Sequence, residues 1–373
     1  MSEGKLLLLR ASHVNPDPRV ARAVAVAEAS GLDTTVLAWN RDHDASPAPH
    51  VSHSPVVRYA REAAHGRGMA NLIGLVLFQL FLARQVLARR HGLVAIHACD
   101  LSTGATGLLL ARLLRVPLIY DIYDYYVDSF PVPGPARSLV RRVETFVIDH
   151  ADTTILPTAV RRDQIRPAEP RELVIVENSP DIGELPIDTT LPTSDLAYVG
   201  ILAHHRLLRE VVAHVASNPG ISLRIAGFGP LEAEIRSIAD ASPNIDFRGR
   251  VDSAEALAIM ASARVLFATY EPSVPNHRYS APNKLAEALA LGKPLIVCRR
   301  TGMDVEVEQA GVGVAIDYGG DAFGAALSTI LSDDDLLEHC REEGPRLYRD
   351  KHSWPVSASR LQAVYSGLGR PSA

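Results

Sequence analysis

The chain has 373 residues, a formal net charge of −5 and 47% apolar residues, an ordinary globular composition with length enough for two domains, each with a full core. The negative balance argues against a dedicated nucleic-acid binder. Three cysteines, Cys99, Cys298 and Cys340, are too few and too widely spaced for a disulfide framework or a metal-ligand spacing, so a reducing compartment is expected.

Leu6-Leu-Leu-Leu9 is too short for a signal-peptide core and is closed by Arg10, so residues 5–10 read as a first strand. A loop runs to Arg19, then an alanine-rich helix over 20–30 is stopped by Gly31, and a strand follows over 34–39. Strand, helix and strand at this spacing predict a right-handed βαβ unit in a parallel sheet. No G-x-G-x-x-G follows the first strand, so this half is not expected to hold a nucleotide. The long apolar stretch 69–87 contains Asn71, Gln79, Arg84 and Gln85, which spoil it as a spanning helix. Being apolar nearly all round up to Leu82, it reads as a buried helix. Its basic rim, Arg67 to Arg90, offers peripheral contact with anionic lipid as the alternative.

The strand over 93–100 ends in His97 and Asp100, and ligands of open α/β sheets bind outside the carboxyl ends of strands. A helix over 104–114 leads to a strand over 116–121, whose end carries Asp121, Tyr123 and Asp124. A helix over 138–150 and strands over 151–156 and 173–178 complete a first domain, residues 1–182, and the proline-rich segment 178–195 reads as a linker. The second domain, residues 193–350, opens with a strand ending at Gly200 and a loop carrying Arg206. The strand from 221 turns at Gly227 and Gly229, where a missing Cβ lets backbone approach a ligand. Strands over 245–251 and 263–269 follow; Asp333 to Asp335 read as a helix cap rather than a metal motif, and 354–367 as a last helix.

The centre of the chain is Tyr279-Ser-Ala-Pro-Asn-Lys-Leu-Ala-Glu-Ala-Leu-Ala-Leu-Gly-Lys-Pro-Leu-Ile-Val297. Ser280 is the expected N-cap, Pro282 falls in the first turn, Gly292 stops the helix, and 294–297 is a buried parallel strand. Lys284 and Glu287 are three apart and share a face near the positive end of the helix. Free N–H groups, the helix dipole and a lysine make an anion site, and a carboxylate one turn on can take hydroxyls such as those of a ribose. A plain surface ion pair is the alternative.

This segment resembles the donor-binding segment of retaining GT-B glycosyltransferases of the family 4 type, most closely in Glu287 and Ala290-Leu-Gly-Lys-Pro-Leu-Ile-Val297. Ser-Ala-Pro-Asn-Lys-Leu-x-Glu is similar to the variant in bacterial capsule, O-antigen and exopolysaccharide transferases. Tyr279 stands where the family often has a first carboxylate, and Tyr123 where it often has a histidine. The resemblance implies two Rossmann-like α/β domains facing across a cleft, with the tail, 351–373, crossing back to the first. It implies transfer of a sugar from a nucleotide-diphosphate sugar, a UDP-sugar foremost, to a saccharide, lipid-linked or small-molecule acceptor hydroxyl, with retention, no metal and no cofactor. In that reading Arg206 and Lys284 meet the donor diphosphate. Gly200, Gly227, Gly229, Arg250, Val251, Ser280 and Glu287 form the nucleotide site, with Glu287 on the ribose. Arg19, His97, Asp100 and Tyr123 belong to the acceptor side, and Asp124 either orients the acceptor hydroxyl or caps a helix. The expected location is cytoplasmic, with inner-membrane contact through the basic rim as an option. A nucleotide-sugar epimerase or hydrolase on the same fold, and a non-catalytic sugar-nucleotide binder, are the rivals.

Overall fold

The computed structural model describes residues 4–14, 17–41, 50–61, 72–180, 182, 190–280 and 283–368. The chain forms two compact units, Met1–Glu177 with Ser357–Ala373, and Asn178–Val356. The breaks thus fall at 177/178 and 356/357, a few residues from the 182 and 351 read from the sequence. Part of the expected linker, 181 and 183–189, lies outside the described residues.

The first unit runs β1 (Gly4–Arg10), α1 (Pro18–Ala29), β2 (Leu32–Asn40), β3 (His50–Val51), β4 (Ser54–Ala60), α2 (Leu72–Ala88), β5 (Leu93–Cys99), α3 (Leu101–Leu114), β6 (Leu118–Asp121), α4 (Tyr126–Ser129), α5 (Gly134–His150), β7 (Thr153–Leu156), α6 (Arg161–Gln164) and β8 (Leu173–Ile175). Its eight strands lie in the order β3-β4-β2-β1-β5-β6-β7-β8, parallel except for the β3–β4 pair. Leu6 to Leu9 are buried without exception, as a central parallel strand covered on both faces requires. The chain winds outward from β1 through β2 to β4, then returns and winds the other way from β5. The point of reversal lies between β1 and β5, and a crevice opens there at the carboxyl ends of the strands.

Helix α1 starts earlier than expected. Asp17 caps it, accepting from Val20 N at 3.2 Å, and Pro18 takes the first helical position. Arg19 therefore sits in the first turn of the helix rather than in the loop. Helix α2 also departs from expectation. Phe78, Leu82 and Val86 are buried, with Phe78 stacked on Trp39 at 5.1 Å, but Ile73 is 67% exposed and Leu80 62%. One face is core and the opposite face is apolar and open to solvent; Met69 to Asn71 fall outside the described residues.

The second unit runs β9 (Ser194–Val199), α7 (Leu208–Ala216), β10 (Leu223–Ala226), α8 (Glu232–Asp240), β11 (Ile245–Gly249), α9 (Ser253–Ser262), β12 (Ala263–Ala268), α10 (Asn283–Ala290), β13 (Leu295–Cys298), α11 (Asp304–Ala310), β14 (Gly313–Ile316), α12 (Gly320–Leu331) and α13 (Asp334–Leu347). Its six parallel strands are ordered β11-β10-β9-β12-β13-β14, so the reversal lies between β9 and β12. Asp333 caps α13 by accepting from Leu336 N at 2.9 Å, the role expected of it. A last helix, α14 (Trp354–Ser366), passes into the first unit from Ser357 on. There Ser357 Oγ accepts from Glu177 N at 3.1 Å, and Tyr365 meets the His97 ring.

Candidate active site

In the second unit the residues singled out from the sequence gather at the β9–β12 reversal. Gly227 has φ +147, and a Cβ there would stand 1.8 Å from Gly200 O. Gly229 has the same φ, with a notional Cβ 2.7 Å from Leu202 O. These glycines exist because the loops after β9 and β10 lie against each other, laced by Leu202 N to Phe228 O at 2.8 Å and Gly200 N to Ala226 O at 3.0 Å. The loop bearing Arg206 is fixed by Thr269, whose hydroxyl donates to Arg206 O at 2.7 Å.

Two cations meet at Tyr198, one over its ring and one at its hydroxyl. Lys284 Nζ donates to Val199 O and lies 4.8 Å from the Tyr198 ring centroid. Arg206 reaches the hydroxyls of Tyr198 and Tyr270, both at 3.4 Å, and its guanidinium lies 4.9 Å from the Tyr270 centroid. Among the described residues neither cation forms a salt bridge with a carboxylate, although Glu287 lies close enough along α10 to interact with Lys284 electrostatically.

Glu287, one turn along α10 from Lys284, is half-buried. Its carboxylate makes no hydrogen bond or ion pair among the described residues, so the plain Lys284–Glu287 surface pair does not form. Burial pushes its carboxyl above the usual range, against the pull of Lys284. Ser280 corrects a second expectation. It ends a 3₁₀ turn, Pro275–Tyr279, its hydroxyl donating to His277 O at 2.8 Å, and α10 begins at Asn283. Its hydroxyl is spent closing that turn and does not cap the helix; Pro282 lies outside the described residues. Arg250 is exposed, its guanidinium 4.4 Å from the Phe228 ring, with Val251 half-buried beside it. A cleft of about 580 Å³ nearby is lined by Glu271, Pro272, Ser273, Arg278, Arg300 and Tyr318, and not by Arg206 or Lys284.

The first unit carries its own cluster at the β1–β5 reversal. The Tyr123 ring lies between two guanidinium groups, Arg10 at 4.1 Å and Arg19 at 4.7 Å from its centroid. Arg10 is paired with Asp100 and, at 3.1 Å, with Asp17. Arg19 grips Asp121 with Nε–Oδ2 at 3.2 Å and Nη2–Oδ1 at 2.6 Å, and donates to Val176 O at 3.2 Å. The expectation of a free Arg19 awaiting an anion is therefore corrected: its donors are committed inside the protein. Asp100 takes φ +61, a left-handed conformation that costs a non-glycine residue energy. What holds it there is a set of bonds, with Oδ1 accepting from Tyr123 N at 2.9 Å and Asp124 N at 3.3 Å. Burial raises the Asp100 carboxyl against the pull of Arg10.

His97 has no exposed surface. Its Nδ1 is 2.8 Å from the Tyr365 hydroxyl and its Nε2 is 3.5 Å from Asp121. It braces Asp121 from behind and is out of an acceptor's reach, against the sequence expectation. Burial works on Asp121 too, but Arg19 and His97 win and hold it below the usual carboxylate range. Cys99, His97 and Asp121 offer three ligand atoms within 4.8 Å of one another. Burial pushes the Cys99 thiol far up and Arg19 already occupies Asp121, so the donor set suits a buried polar network better than a cation. Asp124 is different: its side chain is 46% exposed and paired with Arg161 at 3.3 Å. The cap of α4 is Tyr125, with no side-chain bond, so the helix-capping alternative for Asp124 falls away.

Sequence reasoning missed Tyr198, Tyr270, Arg10, Arg161 and Tyr365. An aromatic residue just before the Val199-Gly200 strand end was a usable signal for Tyr198; the others become neighbours of the site only through strand order and the returning helix.

Residues 193–333 match the family described as glycosyl transferases group 1, and residues 16–178 match the glycosyl transferase 4-like domain. The chain belongs to the GT-B glycosyltransferases of the family 4 type. This glycosyltransferase is 24% identical over 308 residues to a D-inositol 3-phosphate glycosyltransferase of Corynebacterium glutamicum (strain R), covering 73% of this chain and 71% of the relative. It is 24% identical to a D-inositol 3-phosphate glycosyltransferase of Segniliparus rotundus, covering 77% and 68%. Among solved structures it resembles sucrose-phosphate synthase from Thermosynechococcus elongatus (TM-score 0.73, 17% identity, 97% and 98% of the two chains). It also resembles Anabaena HepE, solved with UDP-glucose (TM-score 0.70, 15% identity, 98% and 100%). The family goes against the epimerase, hydrolase and scaffold alternatives. Among the described residues no helix is long and apolar enough to cross a membrane.

Proposed function

We propose that this glycosyltransferase moves a sugar from a nucleotide-diphosphate sugar, UDP-sugars foremost, to an acceptor hydroxyl with retention and without a metal ion. The observation that carries the reading is a pair of cations with no salt-bridge partner among the described residues, Lys284 and Arg206, at a strand-end crevice rimmed by Gly200, Gly227 and Gly229. Diphosphate is the group that such an arrangement recognises: two fixed positive charges, with backbone able to come close. The UDP and UDP-glucose complexes of HepE support uridine as the base.

In the reaction the anomeric C–O bond breaks and its electron pair goes to the leaving diphosphate oxygen. Lys284 and Arg206 stabilise the charge that grows there, and fixed groups of this kind contribute about 3–4 kcal/mol each. The leaving oxygen takes the proton of the acceptor hydroxyl, which adds on the same face, giving a glycoside and a nucleoside diphosphate. Glu287 accepts from the ribose hydroxyls, which relieves a half-buried carboxylate left without donors. Arg250, Val251 and the Ser280 turn complete the nucleotide side. In the first unit Asp124 orients the acceptor hydroxyl, while Asp100, Tyr123, Arg19 and His97 form the braced floor behind it. The acceptor is a polyol or saccharide hydroxyl, in keeping with the inositol-phosphate relatives. The protein works in the cytoplasm, where such donors are made.

The test is a panel of UDP-, GDP- and ADP-sugars read by thermal shift and by nucleoside-diphosphate release. A donor that binds the folded protein raises its melting temperature, by mass action. Stabilisation by a UDP-sugar with UDP release that depends on a polyol or saccharide acceptor supports the reading; failure of every nucleotide sugar to stabilise the protein overturns it.

A further inference from the structure

Helices α2, α3 and α5 connect β4 to β5, β5 to β6 and β6 to β7, so the chain moves the same way across the sheet each time. Right-handed crossovers place all three on one face of the first unit. They are neighbours: Gln79 of α2 donates to Ser102 O at 3.1 Å, and Arg112 of α3 donates to His150 O of α5. Each turns an apolar stripe to solvent. On α2 it is Ile73, Val76 and Leu80, at helical spacing; on α3 it is Leu109, 70% exposed, and Leu113. On α5 it is Leu139, Val143 and Phe146, the last 55% exposed. An open apolar surface that spans three adjacent helices has to be covered by something.

The charge around it says by what. Although the whole chain is acidic, α2 and α3 contain no carboxylate. Of the two on α5, Glu144 is buried, while Asp149, near the helix end, is half-exposed and accepts from Glu169 N at 2.7 Å. Exposed arginines stand among or just beyond the stripes, and Arg84, Arg90, Arg115, Arg141 and Arg142 form no ion pair among the described residues. A second copy of the same face would set arginine against arginine across a two-fold axis, which disfavours a symmetric dimer. We propose that the exposed face of α2, α3 and α5 docks on an anionic lipid bilayer, its apolar stripes entering the headgroup region and its arginines meeting lipid phosphates. The sequence pointed only to the stretch that forms α2 and the arginines flanking it, Arg67 to Arg90; the surface is three helices wide, and it stands independently of the reaction assigned above.

The experiment uses the full chain with vesicles of phosphatidylcholine alone and of phosphatidylcholine mixed with phosphatidylglycerol, read by co-sedimentation. Binding to the mixed vesicles, weakened by salt and absent from the neutral ones, is expected. Arg141→Gln with Arg142→Gln should lower the partition by about fivefold per arginine. Leu109→Gln with Phe146→Gln should lower it by at least about tenfold with only a small change in melting temperature, because more than half of each side chain is already in solvent. Sedimentation velocity without lipid should show a monomer. No binding to the anionic vesicles, equal binding to both kinds, binding indifferent to both double variants, or a dimer that the same variants dissociate would each overturn the proposal.

Discussion

Glu287→Gln separates a binding carboxylate from a structural one. In the free protein Glu287 is half-buried, without a hydrogen-bond donor, and burial holds its carboxyl above the usual range. Such a charge costs stability at neutral pH, because the unfolded chain ionises it more easily. The amide has nearly the same shape and no charge to desolvate. The variant should therefore be as stable as the parent at pH 7.5 or more so. The gain should disappear below the ordinary carboxylate range, where the parent carries a proton in both states. If the carboxylate serves ribose hydroxyls, loss of a charged hydrogen bond weakens nucleotide-diphosphate binding by about 1.5–3 kcal/mol, or roughly 10- to 150-fold. Urea unfolding at two pH values gives the first quantity, and titration calorimetry with the nucleoside diphosphate gives the second. Gain of stability with loss of affinity is the signature of a site residue. A variant that unfolds more easily yet binds nucleotide like the parent would refute the reasoning, since Glu287 would then be paired and structural.

Lys284→Met should keep the stem's packing on Tyr198 but remove the charge, lowering kcat by about 100-fold or more in steady-state transfer assays. Gly227→Ala should cost more than about 3 kcal/mol, or block folding outright, because the new Cβ would stand 1.8 Å from Gly200 O; soluble yield and melting temperature report it. Transfer should survive a chelator, with cations rather than a metal ion carrying the diphosphate charge; complete loss restored by magnesium or manganese is the contrary result. Glu144, fully buried, has its carboxyl raised to about 8 by burial, against hydrogen bonds from Tyr120 and from Tyr126 N. Its stabilising contribution is therefore complete below about pH 4.5 and is lost as pH rises to about 8, at most about 5 kcal/mol in the first unit. In urea melts at pH 5 and pH 9 Glu144→Gln should flatten that fall, and parallel profiles for variant and parent would contradict it.

The sequence by itself marked most of the strands and helices, though not β3 and β4, and the two-unit organisation, and it singled out Gly200, Arg206, Gly227, Gly229, Lys284 and Glu287 in the second unit. Those features are local. A buried parallel strand needs a continuous apolar run such as Leu6 to Leu9, and a close backbone approach needs a glycine where Gly227 stands, whatever lies elsewhere in the chain. Capping was less secure: Ser280 looked plausible at a helix start but closes a 3₁₀ turn, with the helix beginning beyond it, while Asp17, the cap of α1, lay in what read as a loop. What only the tertiary structure decided is which charges are spent and which are free. Arg19 and Arg206 are equally basic in the sequence. Strand order sets Asp121 opposite Arg19, while among the described residues the Arg206 side chain meets tyrosine hydroxyls and a ring and no carboxylate. His97 is sealed because Tyr365 arrives 268 positions later in the chain. The open face of α2 was hidden for the opposite reason. A helix apolar on all sides has no polar stripe to reveal which side is buried, and only packing against Trp39 selects Phe78 for the core and leaves Leu80 in solvent.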